Sequence, residues 1–181
     1  MDRPVSIHDI RLLAENIGEA GLERDITVSP ADIQVVLSDV DVSVDEPFSV
    51  HYEVVRHQET FHVQVDIQGC IHATCARCLA PMDHRVDLHL ESDYVPAPSD
   101  MTGDLEAQRV TAETGFYDRD IHLGKYICSE LVLSLPYIYL CSETCKGMCP
   151  RCGANLNEGP CLCAKEVDPR LEVLGSLKTT R

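Results

Sequence analysis

The chain has 181 residues, 44% hydrophobic and 25% charged, the balance of a soluble folded protein with one domain or one domain and a small appendage. Its net charge of -15 sits toward the front: residues 1–124 carry 8 Lys and Arg against 24 Asp and Glu, and residues 125–181 carry 7 against 6. Such an acidic body argues against broad nucleic-acid binding and favours basic partners, while no apolar run approaches the roughly 20 residues of a membrane-spanning helix.

The opening segment is mixed: Val5 and Ile7 read as a short strand, Leu12, Leu13 and Ile17 as a helical turn, and Gly18 and Gly21 as a break. From Ile33 onward a half-buried strand is predicted, because Val40, Val42 and Val44 alternate with Asp39, Asp41, Ser43 and Asp45. A strand over 50–55 follows. The clearest strand then sets Phe61, Val63, Val65, Ile67, Gly69, Ile71 and Ala73 on one face, with His62, Gln64, Asp66, Gln68, Cys70, His72 and Thr74 on the other. It runs into Cys75-Ala-Arg-Cys78. After a turn at Leu79-Ala-Pro81 the alternation resumes, with Val86, Leu88, Leu90 and Tyr94 inward. The two cysteines therefore occupy the tip of an expected β-hairpin.

Residues 96–115 are acidic and turn-rich and read as a long mobile loop. Asp118 or Asp120 then offers an N-cap for a helix over about 121–135, with Leu123, Ile127, Leu131 and Leu135 on one face and Pro136 ending it. Asp168-Pro-Arg170 begins a final short helix carrying Leu171, Leu174 and Leu177. The expected fold is α+β: an antiparallel sheet, open or curled into a partial barrel, with one main packed helix and a zinc-bound cysteine-rich extension. Residues 1–140 form the acidic β-rich domain and residues 141–181 the extension.

Ten cysteines without a basic-then-apolar leader imply a reducing, cytoplasmic setting, where paired cysteines hold metal more often than they form disulfides. Cys149, Cys152, Cys161 and Cys163 form a CxxC-x8-CxC set that can fill a zinc tetrahedron alone. Cys75 and Cys78 with Cys141 and Cys145 form a second set, tying the hairpin tip to the extension. The alternative pairs Cys75 and Cys78 with Cys149 and Cys152. One or two Zn²⁺ per chain are therefore expected. Cys70 and Cys128 read as isolated thiols, and the scattered histidines as solvated surface residues. Ferredoxin spacing, Walker, dinucleotide and hydrolase motifs are all missing, so the chain is expected not to be an enzyme.

Four features in this order resemble one family. They are Cys75-Ala-Arg-Cys78-Leu, the helix ending in Leu135-Pro136, the run Cys145-Lys-Gly-Met-Cys149-Pro-Arg-Cys152-Gly-Ala-Asn155-Leu-Asn157, and Asp168-Pro-Arg-Leu171. Together they look like the YceD family, the bacterial and plastid large ribosomal RNA subunit accumulation proteins, over roughly residues 35–177. The resemblance implies a non-catalytic cytosolic factor needed for 23S ribosomal RNA accumulation and large-subunit assembly. Basic ribosomal proteins or large-subunit assembly factors are the expected partners. Direct contact with 23S rRNA is a variant that charge does not favour. Two other readings compete: a redox-sensing zinc switch, in which clustered thiolates release metal on oxidation, and, further behind, an RNA-processing enzyme using the acidic strand faces.

Overall fold

Alternation of apolar and polar side chains builds most of this molecule. A computed structural model of the chain describes residues 6–97, 114–163 and 170. In chain order its elements are β1 (Leu12–Leu13), β2 (Leu22–Val28), α1 (Pro30–Val36), β3 (Val42–Ser43), β4 (Phe48–His57), β5 (Thr60–Thr74), β6 (Pro81–Pro96), β7 (Thr114–Tyr117), β8 (Asp120–Ile121) and α2 (Leu123–Ser134). Short 3-10 turns at Ile7–Asp9 and Ala14–Asn16 flank β1. The class is α+β, with two α-helices among the described residues.

The main sheet runs β2-β4-β5-β6-β7, with β3 beside β5. Every pairing along it is antiparallel except that of β6 with β7, which is parallel. β2 and β7 end the order and are not paired with each other among the described residues. The long hairpin of β5 and β6 places Phe61 opposite Tyr94 at one end and Thr74 opposite Pro81 at the other. Every second residue of these strands enters one core: Phe48, Val50 and Val54 from β4, Val63, Val65 and Ile67 from β5, Val86 and Leu90 from β6. Ile33 of α1 and Leu123, Ile127 and Leu131 of α2 join the same cluster. Each such side chain, fully buried, contributes about 1.5–3 kcal/mol relative to exposure.

α2 begins where its backbone meets another chain segment. Gly124 donates its N–H to Ile10 O at 2.9 Å, and a Cβ there would collide with the carbonyl of Ile7. Only glycine permits that approach. The helix ends at Ser134 because Leu135, preceding Pro136, is extended (φ -72°, ψ 141°).

Several expectations are corrected. Ile33 does not open a strand. It lies in α1, whose start is set by Ser29 as N-cap and Pro30 in the first turn, and only Val42 and Ser43 pair as strand. In the opening segment Ile7 lies in a 3-10 turn, while Leu12 and Leu13 pair with Ile121 and Asp120. Neither Asp118 nor Asp120 caps α2; His122 is the N-cap residue and makes no side-chain cap. Asp120 belongs to β8. The expected loop is shorter at both ends, since Pro96 closes β6 and Thr114 and Gly115 open β7. Residues 98–113 of that loop, and the expected short C-terminal helix apart from Arg170, lie outside the described residues.

The chain divides into two compact units. One joins Met1–Thr74 to Pro81–Tyr139 and holds the sheets and helices. The other joins Cys75–Ala80 to the chain from Leu140 onward. No helix among the described residues is long and apolar enough to cross a membrane.

Candidate metal centres

The loop between β5 and β6 folds back on itself within six residues. Cys75 N donates to Ala80 O and Leu79 N donates to Cys75 O, both at 2.9 Å, with Leu79 at φ 58°. The same pattern recurs at Cys149: its N–H donates to Ala154 O at 2.8 Å, Gly153 N donates to Cys149 O at 2.9 Å, and Gly153 lies at φ 71°. Each is a knuckle that turns two cysteines toward one point. Glycine takes the left-handed position without penalty in the second knuckle, and leucine takes it at a steric cost in the first.

The eight clustered cysteines fall into two groups of four. Cys75, Cys78, Cys141 and Cys145 form one, and Cys149, Cys152, Cys161 and Cys163 the other; within each, the Sγ atoms lie within 4.8 Å of one another. The division at Cys149 follows the first of the two pairings that the spacing allows. Both groups lie wholly in the second unit. Either could hold a metal ion. Cys75 Sγ and Cys145 Sγ are 3.8 Å apart, and Cys78 Sγ and Cys141 Sγ 3.6 Å, far beyond the roughly 2.05 Å of a disulfide. Cys75, Cys78, Cys145 and Cys149 are buried, whereas Cys141 and Cys152 are exposed.

Hydrogen bonds hold the donors in place. Arg77 donates from Nη1 to Glu143 O and Cys145 O, both at 3.1 Å, lacing the first knuckle to the segment that brings Cys141 and Cys145. Met148 N donates to Arg77 O at 3.1 Å. Asn157 donates from Nδ2 to Cys145 Sγ at 3.3 Å.

Electrostatics divides each set of thiols. Backbone N–H groups of Cys141 and Cys78 favour the thiolate of Cys75 and hold it down at about 6. Those of Cys152 and Arg151 hold Cys149 at about 6. The Asn157 amide lowers Cys145. By contrast Cys141 is pushed up to about 12, first by Cys145 and then by Cys78. Cys163 is pushed to about 12 by Cys152 and by burial. Four sulfurs this close repel once ionised, and a cation at their centre is the charge that removes the repulsion.

Spacing found all eight of these cysteines but not their supports. Arg77 and Asn157 carry no spacing signal, and only their positions inside the cysteine runs mark them. Cys70 and Cys128 stand apart from both groups. Burial pushes the Cys128 thiol up to about 11, the state of an unreactive core cysteine.

Outside the cysteine groups, the outward face of the sheet carries a histidine and carboxylate pattern. His51 Nδ1 meets Asp25 at 2.8 Å, His62 Nδ1 meets Asp93 at 2.8 Å, and the Nδ1 atoms of His72 and His89 meet Asp83 and Asp66 at 2.7 Å. These partners sit directly across neighbouring strands. Glu23, Glu53, Asp87 and Glu91 are exposed on the same face, whose arginine is Arg85.

A family model described as large ribosomal RNA subunit accumulation protein YceD matches residues 63–178. Uncharacterized proteins of Mycobacterium tuberculosis and Mycobacterium bovis are each 30% identical over 174 residues, covering 92% of this chain and 80% of theirs. A chloroplastic YCED homolog 1 of Arabidopsis thaliana, named as a large ribosomal RNA subunit accumulation protein, is 38% identical over 61 residues, 33% of this chain and 19% of its own. No solved structure matches at a significant level. The matched region takes in both four-cysteine groups and more than half of the sequence, and the chain belongs to the YceD family.

Proposed function

We propose that this chain is a non-catalytic ribosome-biogenesis factor, required for accumulation of 23S rRNA and large-subunit assembly. It acts in the cytoplasm through protein contacts on a scaffold stapled by two four-cysteine zinc sites. The observation that carries this reading is the family match across residues 63–178, which includes all eight clustered cysteines.

The geometry supports zinc in a closed structural role. A tetrahedron of thiolates with Zn–S of about 2.3 Å has sulfurs about 3.8 Å apart, and two of the six separations in the first group, 3.6 and 3.8 Å, lie close to that value, with all six within 4.8 Å. Four cysteines per group complete the coordination shell and leave no position for a substrate, which supports a staple rather than a catalytic centre. Cys75, Cys78, Cys141 and Cys145 hold one ion, and Cys149, Cys152, Cys161 and Cys163 the other.

The sheet face supports basic partners. Glu23, Asp25, Glu53, Asp66, Asp83, Asp87, Glu91 and Asp93 are exposed there against Arg85. That field attracts lysine- and arginine-rich ribosomal proteins or assembly factors and repels phosphate. Depletion of the protein in growing cells tests the proposal. A fall in 23S rRNA and in large subunits relative to small ones is expected, and unchanged levels of both would overturn it.

A further inference from the structure

Asn157 belongs to the loop between Cys152 and Cys161, in the second cysteine group, yet its side chain acts on the first. Nδ2 donates to Cys145 Sγ at 3.3 Å and to Asn155 Oδ1 at 2.9 Å, while Oδ1 accepts the N–H of Lys146 at 2.8 Å. The loop is folded to present that amide. Asn157 N donates to Asn155 Oδ1 at 3.0 Å, and Leu156 N donates to Gly147 O at 2.9 Å. Apart from the single bridge of Asn155 with Met148, residues 153–160 have no strand or helix to hold them. Besides the bonds to Lys146, Gly147 and Cys149, what fastens them is their two ends, Cys152 and Cys161.

We infer that Asn157 couples the two cysteine groups, so that ligation at Cys152 and Cys161 sets its amide on Cys145 and raises metal affinity at Cys75, Cys78, Cys141 and Cys145. The inference rests on the two-site reading above. An outer-shell N–H bonded to a ligating sulfur fixes its orientation and raises metal affinity, and Asn157 Nδ2 stands in that position at Cys145 Sγ. The amide from the other group adds a donor that is present only when the loop is closed. Fastening both ends beforehand removes the ordering cost from the contact. Linkage makes the effect mutual: occupation of the first group raises the affinity of the second by the same factor.

Metal titration of the full-length chain tests this, with Co²⁺ read by its thiolate charge-transfer absorption and Zn²⁺ by competition with a chelator. The wild-type chain should take up two ions cooperatively. Asn157→Leu should still bind two, with uptake no longer cooperative and affinity at the first group lowered about tenfold, the lower end of what outer-shell changes cost. Asn157→Asp, which keeps the acceptor for Lys146 N–H but replaces the donor facing Cys145, should lose at least as much. In a Cys161→Ser, Cys163→Ser background the first group should already bind at the reduced affinity, and adding Asn157→Leu should change nothing more. Uptake by both Asn157 variants that superimposes on wild type would overturn the coupling. So would an equal loss from Asn157→Leu in both backgrounds. Fewer than two ions on the wild-type chain is a different failure: it removes the two-site reading, and this inference with it.

Discussion

His89 sits on the solvent face of β6 with Asp66 at 2.7 Å from Nδ1 and Glu91 at 3.3 Å from Nε2. Its pKa is raised above the usual 6.5, first by the hydrogen bond to Asp66 and then by that to Glu91. His51 and His72 are raised in the same way by Asp25 and Asp83. A histidine whose folded pKa is raised stabilises the fold fully below about 6.5, and that contribution is lost as pH rises through the folded value. These side chains are exposed, so solvent and salt screen the effect on stability. The charge of the face changes more: acidification adds imidazolium to it and weakens its pull on a basic partner. Asp66→Asn should therefore move the His89 titration down toward 6.5 in an NMR pH series on ring-proton shifts. A His89 midpoint unmoved by that change would contradict the pairing.

At the scale of elements, α1 shows what a cap does for a helix of seven residues. Ser29 Oγ accepts the N–H of Asp32 at 3.2 Å and donates to Asp32 Oδ2 at 2.6 Å. With Pro30 in the first turn, this closes the helix start. Ser29→Ala should lower stability by about 1 kcal/mol, measured by denaturant unfolding of the full chain. An unchanged midpoint would count against the cap. The same Ser-Pro-Ala-Asp stands in the sequence, but a single cap is a weaker local signal than the alternation of Val40, Val42 and Val44 that follows it. The β5 and β6 hairpin was legible because its two faces alternate cleanly and every pair lies equidistant from the Cys75 turn. β2 was not, because Arg24 interrupts the apolar series of Leu22, Ile26 and Val28. β7 was not, because a parallel partner reached across residues 98–113 leaves no local pattern. Spacing marked the eight cysteines but left two partners open for Cys75 and Cys78, and the left-handed Leu79, standing where the other knuckle has Gly153, runs against its own residue type.

At the scale of the whole chain, the two units have different reasons to be folded. The first has a core of strand and helix residues, among them Phe48, Phe61, Ile67, Ile127 and Leu131, all at most 1% exposed. In the second, the buried described residues are Cys75, Cys78, Cys145, Gly147 and Cys149, while Leu79 and Leu162 are exposed. The interior there is mostly sulfur. Turns and an isolated bridge cannot offset the entropy of ordering residues 140–163 without a further source of stability. Four-thiolate zinc supplies about 10 kcal/mol or more in small modules. Elemental analysis should therefore find two zinc ions per chain, and iron would overturn the assignment. Stripping metal with a strong chelator should abolish hydrogen-exchange protection at residues 75–80 and 140–163 while β4, β5 and the inward positions of β6 stay protected. Protection that survives at residues 140–163 would mean the second unit holds itself together by contacts other than metal ligation. Loss of protection across the sheet as well would mean that the first unit's apolar core is not sufficient alone.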